Sequence, residues 1–132
     1  MFKHVCIIDD DEVSTFLTYE MLIAERFAQK YETFLNPSEA LNCLLPRLQQ
    51  KQLDGLPDVI FLDLNMPYMD GWKFLDNLAP FASQLKSCCR IYILTSSVDM
   101  LEIKRAQGYD FLSGFLQKPL EDKMIKRILE RP

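Results

Sequence analysis

Carboxylates follow two apolar stretches of this 132-residue chain, and both stretches have the composition of buried strands. Asp9 and Asp10 come directly after Val5-Cys6-Ile7-Ile8, and Asp63 comes directly after Val59-Ile60-Phe61-Leu62. Continuous apolar runs without alternation are typical of strands buried on both faces, as in a parallel sheet. Because ligands bind beyond the carboxyl ends of such strands, we expect Asp63 to lie where chemistry would be done.

Hydroxyl and basic side chains follow two further apolar stretches. Thr95 and Ser96 come after the run at residues 90–94, and Lys118 follows the run at residues 111–116. If all four runs are parallel strands of one sheet, their C-terminal ends meet at one rim. The rim would then hold three carboxylates, a hydroxyl pair and a lysine that are scattered along the chain.

This combination of side chains suits phosphoryl transfer to a carboxylate. Carboxylates brought together repel one another, so they need a cation. Oxygen ligands without histidine or cysteine favour a hard ion, and we expect Mg²⁺. The lysine and the hydroxyl supply donors for an anion, and aspartate is a known nucleophile that forms an aspartyl phosphate.

Each motif alone has a simpler structural explanation. Asp9-Asp10-Asp11-Glu12 suits a solvated helix N-terminus, where the helix dipole favours acidic residues. Thr95-Ser96-Ser97 suits a turn and helix cap, Lys118-Pro119 a surface turn, and Asp63 a turn residue before Asn65. The coincidence of all four at one rim is what favours a functional site.

Composition places the chain among ordinary soluble globular proteins. Apolar residues make up 48% and charged residues 26%, and the net charge of -4 does not indicate a nucleic-acid partner. The four cysteines and the single histidine match no zinc pattern. No apolar run is long enough to span a membrane, and no signal peptide is recognisable, so we expect a cytoplasmic protein.

The order of elements predicts an α/β fold. Five repetitions of strand then helix indicate a single five-stranded parallel sheet with helices on both faces. Pro46 is expected to end or kink the second helix, and Pro80 to interrupt the third. The predicted strands lie at residues 5–8, 30–35, 59–62, 90–94 and within 111–116, and the predicted helices at 12–27, from 36, from 70, from 99 to 108 and from 120.

The chain resembles response regulator receiver domains, the CheY-like family, over essentially its whole length. The motifs that carry the resemblance are Ile7-Ile8-Asp9-Asp10-Asp11, Leu62-Asp63-Leu64-Asn65-Met66-Pro67-Tyr68-Met69-Asp70-Gly71, Leu94-Thr95-Ser96 and Phe115-Leu116-Gln117-Lys118-Pro119. The resemblance implies a flavodoxin-like (βα)5 fold with strand order 2-1-3-4-5. It also implies one receiver domain over residues 1–132 without an output domain.

The resemblance further implies the roles of the acidic residues. Asp63 would be the phosphorylation site. Asp10 and Asp63 would ligate Mg²⁺, Asp9 would contribute through water, and the backbone carbonyl of Asn65 would be the third protein ligand.

The remaining implied roles concern the phosphoryl group and the switch. Thr95 would be the switch hydroxyl that bonds the phosphoryl group, with Ser96 also in contact with it. Lys118 would pair with a phosphoryl oxygen, and its peptide bond to Pro119 would be cis. Phe115 would be the aromatic switch residue.

The expected function is that of a phospho-accepting receiver in a two-component or phosphorelay pathway. A histidine kinase or histidine phosphotransfer protein would donate its phosphoryl group to Asp63. The domain would catalyse its own phosphorylation and slow autodephosphorylation, without being a metabolic enzyme. The last two helices and the strand between them would bind an unidentified target protein, and the receiver would be a monomer or weak dimer.

Three alternatives remain at this point. A flavodoxin-like FMN binder shares the fold, but its phosphate loop after strand one would here be acidic. A phosphatase of the haloacid dehalogenase type needs a second aspartate two residues after the nucleophile, where this chain has Asn65. A phosphorylation-independent interaction module could use the same scaffold.

Four further features lie outside these alternatives. Asn65 and Ser97 are expected to influence the lifetime of the phosphorylated state. The sequence indicates no function for the segment at residues 44–55 or for the pair Cys88-Cys89.

Overall fold

The computed structural model describes residues 1–66, 69–96 and 99–131. Pro67, Tyr68 and Ser97, which belong to the predicted motifs, lie outside the described residues. The strands are β1 (Phe2–Ile8), β2 (Ala28–Phe34), β3 (Val59–Leu62), β4 (Arg90–Thr95) and β5 (Leu112–Gln117). The α-helices are α1 (Glu12–Ala24), α2 (Pro37–Gln49), α3 (Gly71–Leu78), α4 (Ala82–Cys88), α5 (Met100–Ala106) and α6 (Asp122–Glu130).

The five strands form one sheet in the order β2-β1-β3-β4-β5, and every neighbouring pair is parallel. The fold class and the strand order predicted above are therefore confirmed. In the register of β1 with β3, Ile8 lies opposite Leu62. The backbone N–H of Asp63 donates to the carbonyl of Ile8 over 2.9 Å, so the first residues beyond the two strands lie side by side.

The sheet divides the hydrophobic core into two layers, because successive strand residues point to opposite faces. From β1, Cys6 and Ile8 enter one layer, which is shared with α2, α3 and α4. Val5 and Ile7 enter the other layer, which contains Leu22 of α1 and residues of α6. Every residue of β3 is buried, as its unbroken apolar sequence predicts.

The first helix is shorter than its apolar spacing predicts. It ends at Ala24 rather than at Phe27, because Arg26 adopts a positive φ of 51° and turns the chain. Phe27 is then fully buried as the residue that precedes β2. The helix also does not bury the apolar residues near its start. Its buried residues, on the side that faces the protein, are Thr15, Thr18 and Leu22.

The two prolines differ in their effect on the helices. Pro46 does not end α2, which continues to Gln49. Because proline has no backbone N–H, the carbonyl of Asn42 loses its helical donor. Both residues are exposed, so water can satisfy that carbonyl. Pro80 does interrupt the third helix: α3 is followed by a 3-10 turn at Ala79–Phe81 and then by α4, so this connection contains two α-helices rather than one.

None of the helices that the structure describes is long and apolar enough to cross a bilayer.

Candidate functional site

Four loops bring the candidate residues to one edge of the sheet. Asp9 follows β1, Asp63 follows β3, Thr95 is the last residue of β4, and Lys118 follows β5. The backbone N–H of Lys118 donates to the carbonyl of Thr95 over 2.7 Å, which ties the ends of β4 and β5 together. The rim predicted from the parallel arrangement of the strands is therefore present.

Asp9 is the most heavily hydrogen-bonded carboxylate of the site. It is buried, and its Oδ2 accepts from Lys118 Nζ over 2.7 Å. The same oxygen accepts from the hydroxyl of Ser14 over 2.7 Å, and Oδ1 accepts from the backbone N–H of Asp11 over 3.0 Å. Charge-assisted bonds of this length hold both the carboxylate and the lysine in place.

Asp63 differs from Asp9 in its environment. Its carboxylate is buried, and Lys118 Nζ lies 3.7 Å from its Oδ1, beyond hydrogen-bond distance. The pKa of Asp63 is raised to about 6, chiefly by desolvation. The Lys118 ammonium and the backbone N–H of Asn65 oppose the rise, and the negative charges of Asp9 and Asp10 add to it. Asp63 is therefore an ionised but poorly compensated carboxylate at neutral pH.

The three aspartates form a cluster suited to a divalent cation. Asp9, Asp10 and Asp63 can each place one carboxylate oxygen within 4.8 Å of an oxygen from each of the others. Lys118 is the only cation with ion pairs to this cluster among the described residues. An all-oxygen donor set with excess negative charge matches the preference of Mg²⁺, which keeps several of its own waters.

Thr95 and Ser96 occupy different environments at the end of β4. Thr95 is fully buried, and its hydroxyl has no hydrogen-bond partner among the described residues. A buried hydroxyl without a partner is costly, so its position next to the strand ends indicates a donor held for a group that binds there. Ser96 is exposed and borders a groove that also includes Lys118.

The other predicted residues lie at or beside the rim. Asn65 is exposed, and its contribution to the site in this structure is its backbone N–H. Phe115 is half-buried in β5, opposite Ile93 of β4, and packs against the core layer of α3 and α4. The peptide bond between Lys118 and Pro119 is cis, as predicted.

Sequence reasoning missed Ser14. Its hydroxyl bonds directly to Asp9, although the motifs direct attention only to the residues at the strand ends. The one available signal was its place in the first turn of α1, whose N-cap is Asp11. Helical geometry puts a short side chain at this point near the loop that precedes the helix.

Comparison with known proteins identifies the family. The response regulator receiver domain matches residues 5–130. The chain is 25% identical over 126 residues to the probable methanogenesis regulatory protein FilR2 of Methanothrix harundinacea (strain 6Ac), covering 96% of this chain and 78% of that protein. It is 23% identical over 128 residues to hybrid signal transduction histidine kinase L of Dictyostelium discoideum, covering 96% of this chain but only 7% of that protein.

Solved structures show the same fold. A two-component response regulator from Cytophaga hutchinsonii superposes with a TM-score of 0.82 at 22% identity, covering 97% of this chain and 94% of the other. A response regulator receiver protein from Dyadobacter fermentans superposes with a TM-score of 0.81 at 25% identity, covering 98% and 96%. With a family match over nearly its full length and this acidic rim, the chain belongs to the response regulator receiver domain family of two-component signalling.

Proposed function

We propose that Asp63 accepts a phosphoryl group from a phosphohistidine in a Mg²⁺-dependent reaction that this domain itself catalyses. The observation that carries the proposal is the environment of Asp63. It is a buried carboxylate beside two further carboxylates and one lysine, and its pKa of about 6 leaves it ionised at neutral pH. An ionised oxygen with no hydrogen bond from Lys118 is free to act as a nucleophile.

The residues at the rim fit a magnesium ion. Asp10 and Asp63 would hold it through their carboxylates, Asn65 through its backbone carbonyl and Asp9 through a bound water. When bound, Mg²⁺ would offset the negative charge that spreads over the phosphoryl oxygens during transfer. Among the described residues, the cluster consists of carboxylates alone, which supports this choice of ion.

The chain's own residues supply the rest of the chemistry. A carboxylate oxygen of Asp63 forms a bond to phosphorus while the bond from phosphorus to the donor histidine nitrogen breaks, and the bonding electron pair stays on the imidazole. Lys118, held by Asp9, has its ammonium 3.7 Å from Asp63 Oδ1 and pairs with a phosphoryl oxygen. The unpartnered hydroxyl of Thr95 donates to another phosphoryl oxygen, and the exposed hydroxyl of Ser96 contacts the group from the solvent side.

The donor is a histidine kinase or a histidine phosphotransfer protein. Receiver domains belong to two-component pathways, and a relative of this chain is named a hybrid histidine kinase. All four cysteines are free, which is expected of a protein in the reducing cytoplasm. We place the protein there, as a monomer or weak dimer.

The output is a change in the surface formed by α5, β5 and α6. Thr95 reaches the phosphoryl group, and Phe115 lies in the neighbouring strand. Two grooves of about 330 and 240 Å³ flank β5, one on the side of α5 and one on the side of α6, and Gly114 and Phe115 line both. A rearrangement of Phe115 therefore alters both grooves, and a target protein that binds this surface would detect it.

The test is the intact mass after incubation with acetyl phosphate or phosphoramidate, with and without Mg²⁺. We expect one phosphoryl group to be added in the presence of Mg²⁺ and none when Mg²⁺ is chelated. Asp63→Asn should abolish the gain. Asp54→Asn is the matched control, because Asp54 is an exposed aspartate in the turn before β3.

A stable phosphoryl adduct in Asp63→Asn would show that another residue is the acceptor. No gain in the folded wild-type protein, either with small donors or with a phosphorylated histidine kinase, would favour a module that signals by binding alone.

A further inference from the structure

Asp9 has little unused hydrogen-bonding capacity, and a serine outside the family motifs accounts for part of this. A carboxylate offers about four lone-pair sites, two on each oxygen. In Asp9, Oδ2 receives both Ser14 and Lys118, each over 2.7 Å, and Oδ1 receives the backbone N–H of Asp11 over 3.0 Å. Among the described residues, no donor occupies the remaining lone pair, which lies on Oδ1.

Ser14 is itself held in place by the start of α1. The side chain of Asp11 caps the helix and accepts from the backbone N–H groups of Val13, over 2.9 Å, and Ser14, over 3.2 Å. Thr15, the next residue, donates its hydroxyl to the carbonyl of Asp9 over 3.3 Å. The first turn of α1 is thus bonded to the Asp9 loop through both backbone and side chains, and Ser14 has little freedom to move.

We propose that Ser14 is a positioning residue of the metal site, which fixes the Asp9 carboxylate so that its one free oxygen lone pair faces the cation or a water bound to it. The proposal rests on the magnesium site of the proposed function and adds a residue to it. Ser14 and Lys118 together hold Oδ2 from two elements, α1 and the segment after β5. Asp11 holds Oδ1 from the loop, and the carboxylate plane is then determined.

Removal of the hydroxyl leaves the carboxylate with fewer restraints. In Ser14→Ala, Lys118 is the only side chain of the described residues that still bonds to Oδ2 of Asp9. The carboxylate can then rotate to follow the flexible ammonium. Hydrogen-bond partners of metal-site carboxylates are worth about 10- to 100-fold in metal affinity. We expect the lower end of this range, about tenfold, because two of the three bonds to Asp9 survive.

The experiment measures Mg²⁺ binding directly, by calorimetric titration of the unphosphorylated full chain with MgCl₂. Ser14→Ala should raise the dissociation constant about tenfold. Ser14→Thr keeps the hydroxyl and should restore binding to within about threefold of wild type. Ser87→Ala is the matched control: Ser87 is also a helical serine whose hydroxyl is hydrogen-bonded, but it bonds to the carbonyl of Gln84 in α4 and should leave Mg²⁺ binding unchanged.

The outcomes separate this inference from the function on which it rests. The wild-type protein is tested in parallel for Mg²⁺-dependent phosphorylation. If wild type is phosphorylated but Ser14→Ala binds Mg²⁺ as tightly as wild type, the positioning role is wrong and the proposed function stands. If wild type neither binds Mg²⁺ nor gains mass, the proposed function fails first.

Circular dichroism in EDTA shows whether each variant is folded. Should Ser14→Ala fail to fold, Ser14→Cys provides the same comparison, because it preserves the side-chain volume but replaces the hydroxyl by a weak donor. Equal weakening in Ser14→Ala and Ser14→Thr would also contradict the proposal, because it would mean that the hydroxyl is not the group that matters.

Discussion

At the scale of single residues, the site depends on a difference between two neighbouring carboxylates in how well their charges are compensated. The Asp9 carboxylate accepts three hydrogen bonds from the described residues, one of them from the Lys118 ammonium, and so its charge is well compensated. Asp63 has the ammonium only at 3.7 Å, and burial raises its pKa to about 6. The protein thus holds one carboxylate in place and leaves the other, the proposed nucleophile, poorly compensated at a cost in stability.

That cost gives a pH-dependent prediction for Asp63→Asn. The folded-state pKa of about 6 lies above the ordinary value of 3.8, so between these pH values the folded state binds more protons than the unfolded state. The free energy of unfolding contributed by Asp63 therefore falls as pH rises through this window, and the penalty is complete above it. Asp63→Asn removes the penalty, and we expect a gain on the order of 3 kcal/mol at about pH 7.5 that disappears below about pH 4.

The measurement is urea unfolding in EDTA at several pH values, with Asp54→Asn as the control. Chelation matters because a bound cation would itself compensate Asp63. A gain that does not change with pH, or a loss of stability at neutral pH, would contradict the assigned electrostatic penalty.

At the scale of elements, the site is determined by how closely the loops approach one another at the strand ends. The backbone N–H of Gly71, the first residue of α3, donates to the carbonyl of Leu64 over 3.0 Å. A Cβ on Gly71 would lie 2.9 Å from both the carbonyl oxygen of Asp63 and the Cα of Leu64. These are backbone atoms, which cannot move without displacing Asp63, so a glycine is required here for close approach.

Gly71→Ala is therefore expected to lower the free energy of unfolding by about 1–3 kcal/mol, as overpacking does in a well-packed interior. It should also slow the proposed phosphorylation, because relief of the clash shifts the backbone of Asp63. Urea unfolding and the rate of mass gain with acetyl phosphate measure the two effects.

Gly55→Ala provides the comparison for this substitution. The three atoms nearest to a Cβ on Gly55 would all belong to the side chain of Arg47, which is exposed and can move away. A Gly71→Ala variant as stable and as fast as Gly55→Ala would show that the loop tolerates a side chain.

At the scale of the whole molecule, the fold brings three acidic side chains together that no local interaction would keep together. The two core layers hold the strands in register, and the strands hold the carboxylates at the rim. The repulsion within the cluster opposes folding, and a cation that binds only the folded cluster must therefore stabilise the entire domain.

We accordingly expect about 10 mM MgCl₂ to raise the melting temperature by roughly 3–5 °C, on the assumption of a millimolar dissociation constant. Differential scanning fluorimetry of the wild-type protein in MgCl₂ and in EDTA measures the effect. Asp10→Asn should lose most of the increase, because it removes a carboxylate of the cluster. NaCl at equal ionic strength is the control for screening, and an equal increase in NaCl would mean that no specific cation site exists.

The amino-acid sequence by itself predicted the type and order of nearly all elements and the rim where the polar residues meet. It could do so because burial on both faces leaves an unbroken apolar signature, as in β3, and because turn and cap residues mark the ends of elements. It did not predict the end of α1 at Ala24, since the positive φ of Arg26 depends on the need to bury Phe27. Pro80 marked the interruption of the third helix, but the separate helix α4 that follows it was not predicted.

The tertiary structure alone decided which atoms face one another within the rim. Lys118 and Asp9 are 109 residues apart, and only the packed sheet brings their side chains to 2.7 Å. The same packing leaves the hydroxyl of Thr95 without a partner among the described residues and directs the hydroxyl of Ser14 to Asp9. Periodicity along a sequence records which faces of its own segments are buried. The choice of hydrogen-bond partner depends instead on side chains from other segments, and so it exists only in the folded protein.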